Sequence, residues 1–164
     1  MREVADELGA MLLLDCVTSV GGLRVSLDDW GVDAAYSGTQ KCLSCPPGLS
    51  PVSFSARAQA TLDARTQPVQ SWYLDLSMIA TYWGAERAYH QTAPINMIFG
   101  LHEALRLVLE EGIDARETRH RLHSSALVAG LEAMGLTLRV PEAERLPPLT
   151  AVSVPDGEIG SAHV

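Results

Sequence analysis

A single lysine, Lys41, stands in the run Tyr36-Ser37-Gly38-Thr39-Gln40-Lys41, while every other Lys-or-Arg position of the chain is arginine. Chemistry that needs a neutral primary amine therefore has one side-chain candidate, because a guanidinium stays protonated. A lysine reaches that state once burial or a neighbouring charge lowers its pKa and frees the lone pair for Schiff-base formation. Small and hydroxylic residues crowd Lys41 on its N-terminal side, and Pro46, Pro47 and Gly48 follow it. That composition favours a rigid loop over a solvated helical face.

The second chemical group is Asp15, which closes the apolar run Met11 to Leu14. Asp15 and Lys41 each fall at or just beyond the C-terminal end of a predicted strand, the edge where open α/β sheets bind ligands. An acid and an amine at one sheet edge suit a pyridoxal phosphate enzyme, in which lysine carries the cofactor and the carboxylate keeps the pyridine nitrogen protonated. Val17 shares Asp15's side of an extended chain and is placed to pack on a cofactor ring, although a core valine fits the spacing equally. Thr92 lies at a predicted helix start, where hydroxyl and backbone donors suit a phosphate; a plain N-cap is its other reading. Tyr89, three residues earlier, adds a phenolic donor.

Alternation of short apolar runs with turns and helical patterns predicts an α/β domain. Strands are expected near Met11 to Asp15, Ala34 to Gly38 and Leu49 to Phe54, with helices over about Ala56 to Ala64 and Leu76 to Ala88. A long helix opens after Thr92 and Pro94 and carries Ile98, Leu101, Leu105 and Val108 at helical spacing. Asp114 with Glu117 reads as a capping box for the next helix, followed by strands near Leu136 to Val140 and Thr150 to Val154. At the start, Val4 and Leu8 share one face of a helix that Gly9 caps. A buried parallel strand needs covered faces and paired edges, and too few residues precede Met11 to provide them. The Gly-, Ser- and Ala-rich end, Gly157 to Val164, closes no recognisable element, so the chain is read as part of a larger protein. The change around residue 112 divides it into 1–112 and 113–164.

Acidic residues outnumber basic ones, 20 to 12, and no basic stretch alternates with aromatics, which disfavours nucleic-acid binding. No apolar run approaches the roughly 20 residues that span a bilayer. Three cysteines form no closed disulfide framework, which together with the absence of a leader points to the cytoplasm. Cys16 reads as a small buried hydrophobe. Cys42 and Cys45 are compatible with a redox pair or half a zinc site, but zinc wants four ligands and no second pair follows, so no metal is expected. His102-Glu103 begins like a metalloprotease helix but meets Arg106 at the second histidine position. His120 and His123, bordered by Arg119 and Arg121, read as a solvated face.

The segment Leu12-Leu13-Leu14-Asp15-Cys16-Val17-Thr18-Ser19-Val20-Gly21-Gly22, with Gly31-Val32-Asp33 and Tyr36 to Lys41, resembles the class V aminotransferases, in particular the alanine-glyoxylate and serine-pyruvate group. Pro46-Pro47-Gly48-Leu49-Ser50, Tyr82-Trp83-Gly84 and Tyr89-His90-Gln91-Thr92-Ala93-Pro94 extend the likeness over about residues 1–155. The resemblance implies a fold-type I pyridoxal 5'-phosphate-dependent transferase: the C-terminal part of the large, mostly parallel-sheet domain plus the start of the small α+β domain. It implies that Lys41 forms the internal aldimine, Asp15 pairs with the pyridinium, Val17 packs on the ring and Gln40 helps hold the phosphate. Tyr89 and Thr92 would contact the phosphate bound by the neighbouring subunit of a homodimer. The activity implied is amino transfer from alanine or serine to glyoxylate or another small 2-oxoacid. Phosphonate aminotransferases and cysteine desulfurases are related alternatives, though no cysteine matches the desulfurase position. A non-catalytic remnant is the alternative of another class. The family's phosphate loop, ring-stacking aromatic residue and substrate-carboxylate arginine have no counterpart here, so this polypeptide alone is expected to be a poor enzyme.

Overall fold

The computed structural model describes residues 1–155. The run from Gly157 and the end of the expected second unit lie outside the described residues.

Three short strands, β1 (Leu13–Asp15), β2 (Ala34–Tyr36) and β3 (Val52–Phe54), form one sheet in that order. β1 and β2 run parallel in the register Leu13↔Ala34, Leu14↔Ala35, Asp15↔Tyr36, while β3 is antiparallel to β2. Register alone therefore sets Asp15 and Tyr36 side by side. The first helix, α1 (Arg2–Glu7), ends at Gly9, whose φ of +61° is left-handed and permits the terminating turn, with Ala10 N–H donating to Ala5 O at 2.8 Å. Val4 and Leu8 are exposed, contrary to the apolar face expected of them; only Ala5 of this helix is buried.

After β3 come α2 (Ala56–Asp63), capped by the Ser55 hydroxyl, and α3 (Leu76–Trp83), capped by Asp75. Then α4 (Ile95–Glu111) and α5 (Ile113–Ala133) meet at Gly112, whose φ of +82° makes a one-residue joint. That joint overturns the capping-box reading. Asp114 already lies in the first turn of α5, and its carboxylate pairs with Arg24 while Glu117 accepts the Arg24 backbone N–H at 3.0 Å. Thr92 caps nothing either, since α4 starts behind Pro94 with no side-chain cap. The two strands expected near 136–140 and 150–154 reduce to a single antiparallel bridge, Leu138↔Val152. Pro141, Pro147 and Pro148 between them supply no backbone donors to lengthen it.

Among the described residues the core has two clusters. Cys16, Val32 and Ala35 pack with Leu12, Leu14, Val25 and Leu27 beneath the sheet, and Leu43, Cys45 and Ala104 pack with Leu101 and Val108 of α4. Val20 touches both clusters, so the turn after Asp15 and the loop after Lys41 rest on one apolar support. Asp33 adds a buried polar tie: its carboxylate takes the Leu12 N–H at 2.8 Å and the Arg2 guanidinium at 2.7 Å, which hold it below the usual carboxylate range.

Candidate active site

Parallel pairing carries Asp15 and Tyr36 to the same edge. The Tyr36 hydroxyl donates to Asp15 Oδ2 at 2.8 Å, and the Val17 backbone N–H donates to Oδ1 at 2.9 Å. These donors, Val17 first, hold the carboxyl below its ordinary range, and the carboxylate in turn raises the Tyr36 phenol. An ionised carboxylate accepts about four hydrogen bonds, so the exposed Asp15 keeps acceptor capacity for a protonated ring nitrogen. Val17 is half-buried beside it.

Lys41 is exposed on a loop whose base is stitched down. Thr39 is fully buried; its hydroxyl donates to Pro46 O at 2.8 Å and its carbonyl accepts Cys45 N–H at 3.1 Å. Ser37 N–H donates to Pro51 O at 2.9 Å, and the Ser37 hydroxyl reaches Cys16 O at 3.1 Å. Beyond Lys41 the chain turns at once: its carbonyl accepts Ser44 N–H at 2.8 Å, with Ser44 at a left-handed φ of +59°. The Gln40 amide folds over Gly38, where an added Cβ would lie 2.8 Å from Gln40 Oε1. Lys41 also borders an open cavity of about 330 Å³ with Thr18, Ser44, His120 and His123. A larger cavity of about 570 Å³, between β3, α2 and α3, holds neither Asp15 nor Lys41.

Two residues of this neighbourhood escape sequence reading. Tyr36 is one. The other is Arg116 of α5, buried, whose guanidinium donates to Gly21 O at 2.6 Å, Cys42 O at 2.8 Å and the Glu111 carboxylate at 2.8 Å. It ties the turn after Asp15 to the residue after Lys41 from more than 70 positions away. No local period marks it, because its partners lie far along the chain. His120 is likewise no solvated residue. It is half-buried, with Nε2 3.2 Å from where a Gly22 Cβ would stand, and burial lowers its pKa. His123 is exposed as expected. All three cysteines are free and buried, and among the described residues no three potential ligands group as a metal site.

Tyr89 and Thr92 converge. Their hydroxyls lie 3.0 Å apart on an exposed segment, and among the described residues no hydrogen bond joins them to Asp15, Gln40 or Lys41. Between them His90 is buried against Trp72, ring centroids 4.2 Å apart, with both ring nitrogens lacking a partner among the described residues.

The donor set fits pyridoxal phosphate: a reachable amine, an ionised carboxylate with spare acceptor capacity, a side-chain amide beside the amine and a pair of hydroxyls. Comparison with known proteins points the same way. The family profile described as Aminotransferase class-V matches residues 1–162. The (S)-ureidoglycine-glyoxylate transaminase of Bacillus subtilis is 38% identical, over 93% of this chain and 41% of its own length. The alanine-glyoxylate aminotransferase of Oryctolagus cuniculus is 40% identical, over 93% and 40%. The crystal structure of alanine-glyoxylate aminotransferase from Nostoc sp. superposes with a TM-score of 0.89 at 49% identity, covering 94% of this chain and 41% of that one. The chain thus spans about two-fifths of the length of the curated relatives it matches.

Proposed function

The chain belongs to the class V aminotransferases, a family whose cofactor is pyridoxal phosphate, and on that premise we propose that it carries the lysine and carboxylate of an enzyme moving an amino group from alanine or serine to glyoxylate or another small 2-oxoacid. Glyoxylate recurs in the names of the relatives above, which supports it as the acceptor. The observation that carries the reading is the placement of Asp15 at the end of β1 with Lys41 on the pinned loop that leaves β2 beside it.

When bound, pyridoxal phosphate supplies an aldehyde that condenses with amines and a protonated ring that draws charge from the substrate Cα. Lys41 Nζ would be the amine that holds it, and the same side chain would serve as the base and acid that moves the proton at the substrate Cα. Asp15, whose carboxylate Val17 and Tyr36 hold in place, would keep the ring nitrogen protonated. Val17 would pack on the ring, and the Gln40 amide would help hold the phosphate. Tyr89 and Thr92 offer hydroxyls to the phosphate held by a second copy of the chain, giving a homodimer with shared sites. Exposed Trp72, Tyr73, Trp83, Ile95 and Phe99 near that segment support an interface there. Residues 1–112 would form part of the cofactor-binding domain and the chain from 113 part of the small domain. Three free cysteines suit a reducing cytoplasm.

The test is a half-reaction panel on the pyridoxal phosphate-loaded protein, with alanine, serine and ureidoglycine as donors and glyoxylate as acceptor. Donor-dependent loss of the cofactor's visible band should be reversed by glyoxylate and fall by about 10⁴-fold in Lys41→Ala. A protein that binds the cofactor but converts no donor would support the remnant reading.

A further inference from the structure

Asp15 is held at both oxygens. Val17 N–H closes a local turn onto Oδ1, while the bond to Oδ2 comes from Tyr36, on another strand, at 2.8 Å. Tyr36 cannot drift relative to Asp15. Their Cα atoms are register partners, Cys16 N–H donates to Tyr36 O at 2.9 Å, and the next residue, Ser37, bonds back to Cys16 O at 3.1 Å. Tyr36 itself is 38% exposed, so its hydroxyl could satisfy itself with water without the carboxylate. A bond that burial does not require, made by a strand locked at three points, fixes the rotation of one carboxylate.

We infer that Tyr36 is a positioning residue for Asp15: it orients the carboxylate plane before the cofactor ring arrives. A lone aspartate on a strand end turns about its side-chain torsions and must be ordered on binding, whereas this one is ordered in advance. The Cys16 thiol, next to Asp15, is raised first by burial and then by the Asp15 charge, and so stays neutral. The role rests on the cofactor-binding reading above, and the experiment separates the two.

The experiment is the Tyr36→Phe variant of the chain, studied with ¹³C-carboxylate NMR titration of the cofactor-free protein and calorimetric titration with pyridoxal phosphate. Asp15 should titrate at higher pH in the variant, the cofactor Kd should rise roughly three- to tenfold, and the protein should stay folded with Tm lowered only slightly at neutral pH, because the bond that lowers Asp15 also contributes to stability there. In an Asp15→Asn background the Tyr36→Phe effect on Kd should vanish, which a merely structural tyrosine would not show. Unchanged Asp15 titration overturns the inference, as does a Kd penalty of Tyr36→Phe that persists in the Asp15→Asn background. Failure of the cofactor reading is seen elsewhere, in a wild-type protein that takes up no pyridoxal phosphate on Lys41 while Asp15 still responds to Tyr36→Phe.

Discussion

The edge formed by β1, β2 and the Lys41 loop differs in kind from the segment between α2 and α4. At the edge, Thr39, Ser37 and Cys16 are buried and hydrogen-bonded, and Arg116 spans both loops. From Gln67 to Pro94 the chain exposes Trp72, Tyr73, Trp83 and Tyr89 and buries His90 without a hydrogen-bond partner among the described residues. Unpaired buried polar groups and exposed aromatic patches are both costly in isolation, so the contrast separates a region whose polar groups are satisfied within the described chain from one where they are not; on the proposed reading, a second copy supplies the missing contacts. Lys41 and Asp15 sit in the first, Tyr89 and Thr92 in the second.

Breaking the complete region should cost most. Arg116→Met leaves Gly21 O and Cys42 O without their buried donor and Glu111 without one cation, and should lower unfolding stability by about 2–4 kcal/mol in urea titration. A loss below about 1 kcal/mol would mean that the edge does not depend on α5. In the second region, Tyr89→Phe or Thr92→Ala should leave stability nearly unchanged yet weaken cofactor affinity by about tenfold, in a manner that depends on dimer concentration. A large stability loss with unaltered affinity would reassign both hydroxyls to a structural role.

Acid provides the smallest and most graded probe. The Arg119 bond, followed by the Arg116 charge, holds the Glu111 carboxyl down to about 2. Its folded value lies below the roughly 4.3 of an unfolded glutamate, so its stabilisation is fully present above that pH and lost as pH falls toward about 2. Glu111→Gln should therefore flatten the acid limb of the stability curve in that window and leave the shape near neutrality alone; an identical acid limb would deny the Arg116–Glu111–Arg119 network its part in the edge.

What could be read from sequence follows the same division. The strand ends that carry Asp15 and precede Lys41 were legible because short apolar runs mark β1 and β2; the helix expected over 56–64 appears as α2 for an equally local reason, the Ser55 cap. Thr92 and Asp114 misled because capping depends on where the backbone first turns helical. Pro94 and the left-handed Gly112 moved each of those starts by two residues. Arg116 and His120 were opaque, since their partners at Gly21, Gly22 and Cys42 lie far along the chain and no local period encodes them. Tyr36 was in view as part of the lysine run, but its role needed the register of β1 on β2.

The central claim is a covalent cofactor on one amine. Loading the protein with pyridoxal phosphate, reducing with borohydride and mapping peptides by mass spectrometry should place the adduct on Lys41 and eliminate it in Lys41→Ala. An adduct confined to the N-terminal amine, or no adduct at all, would contradict the account.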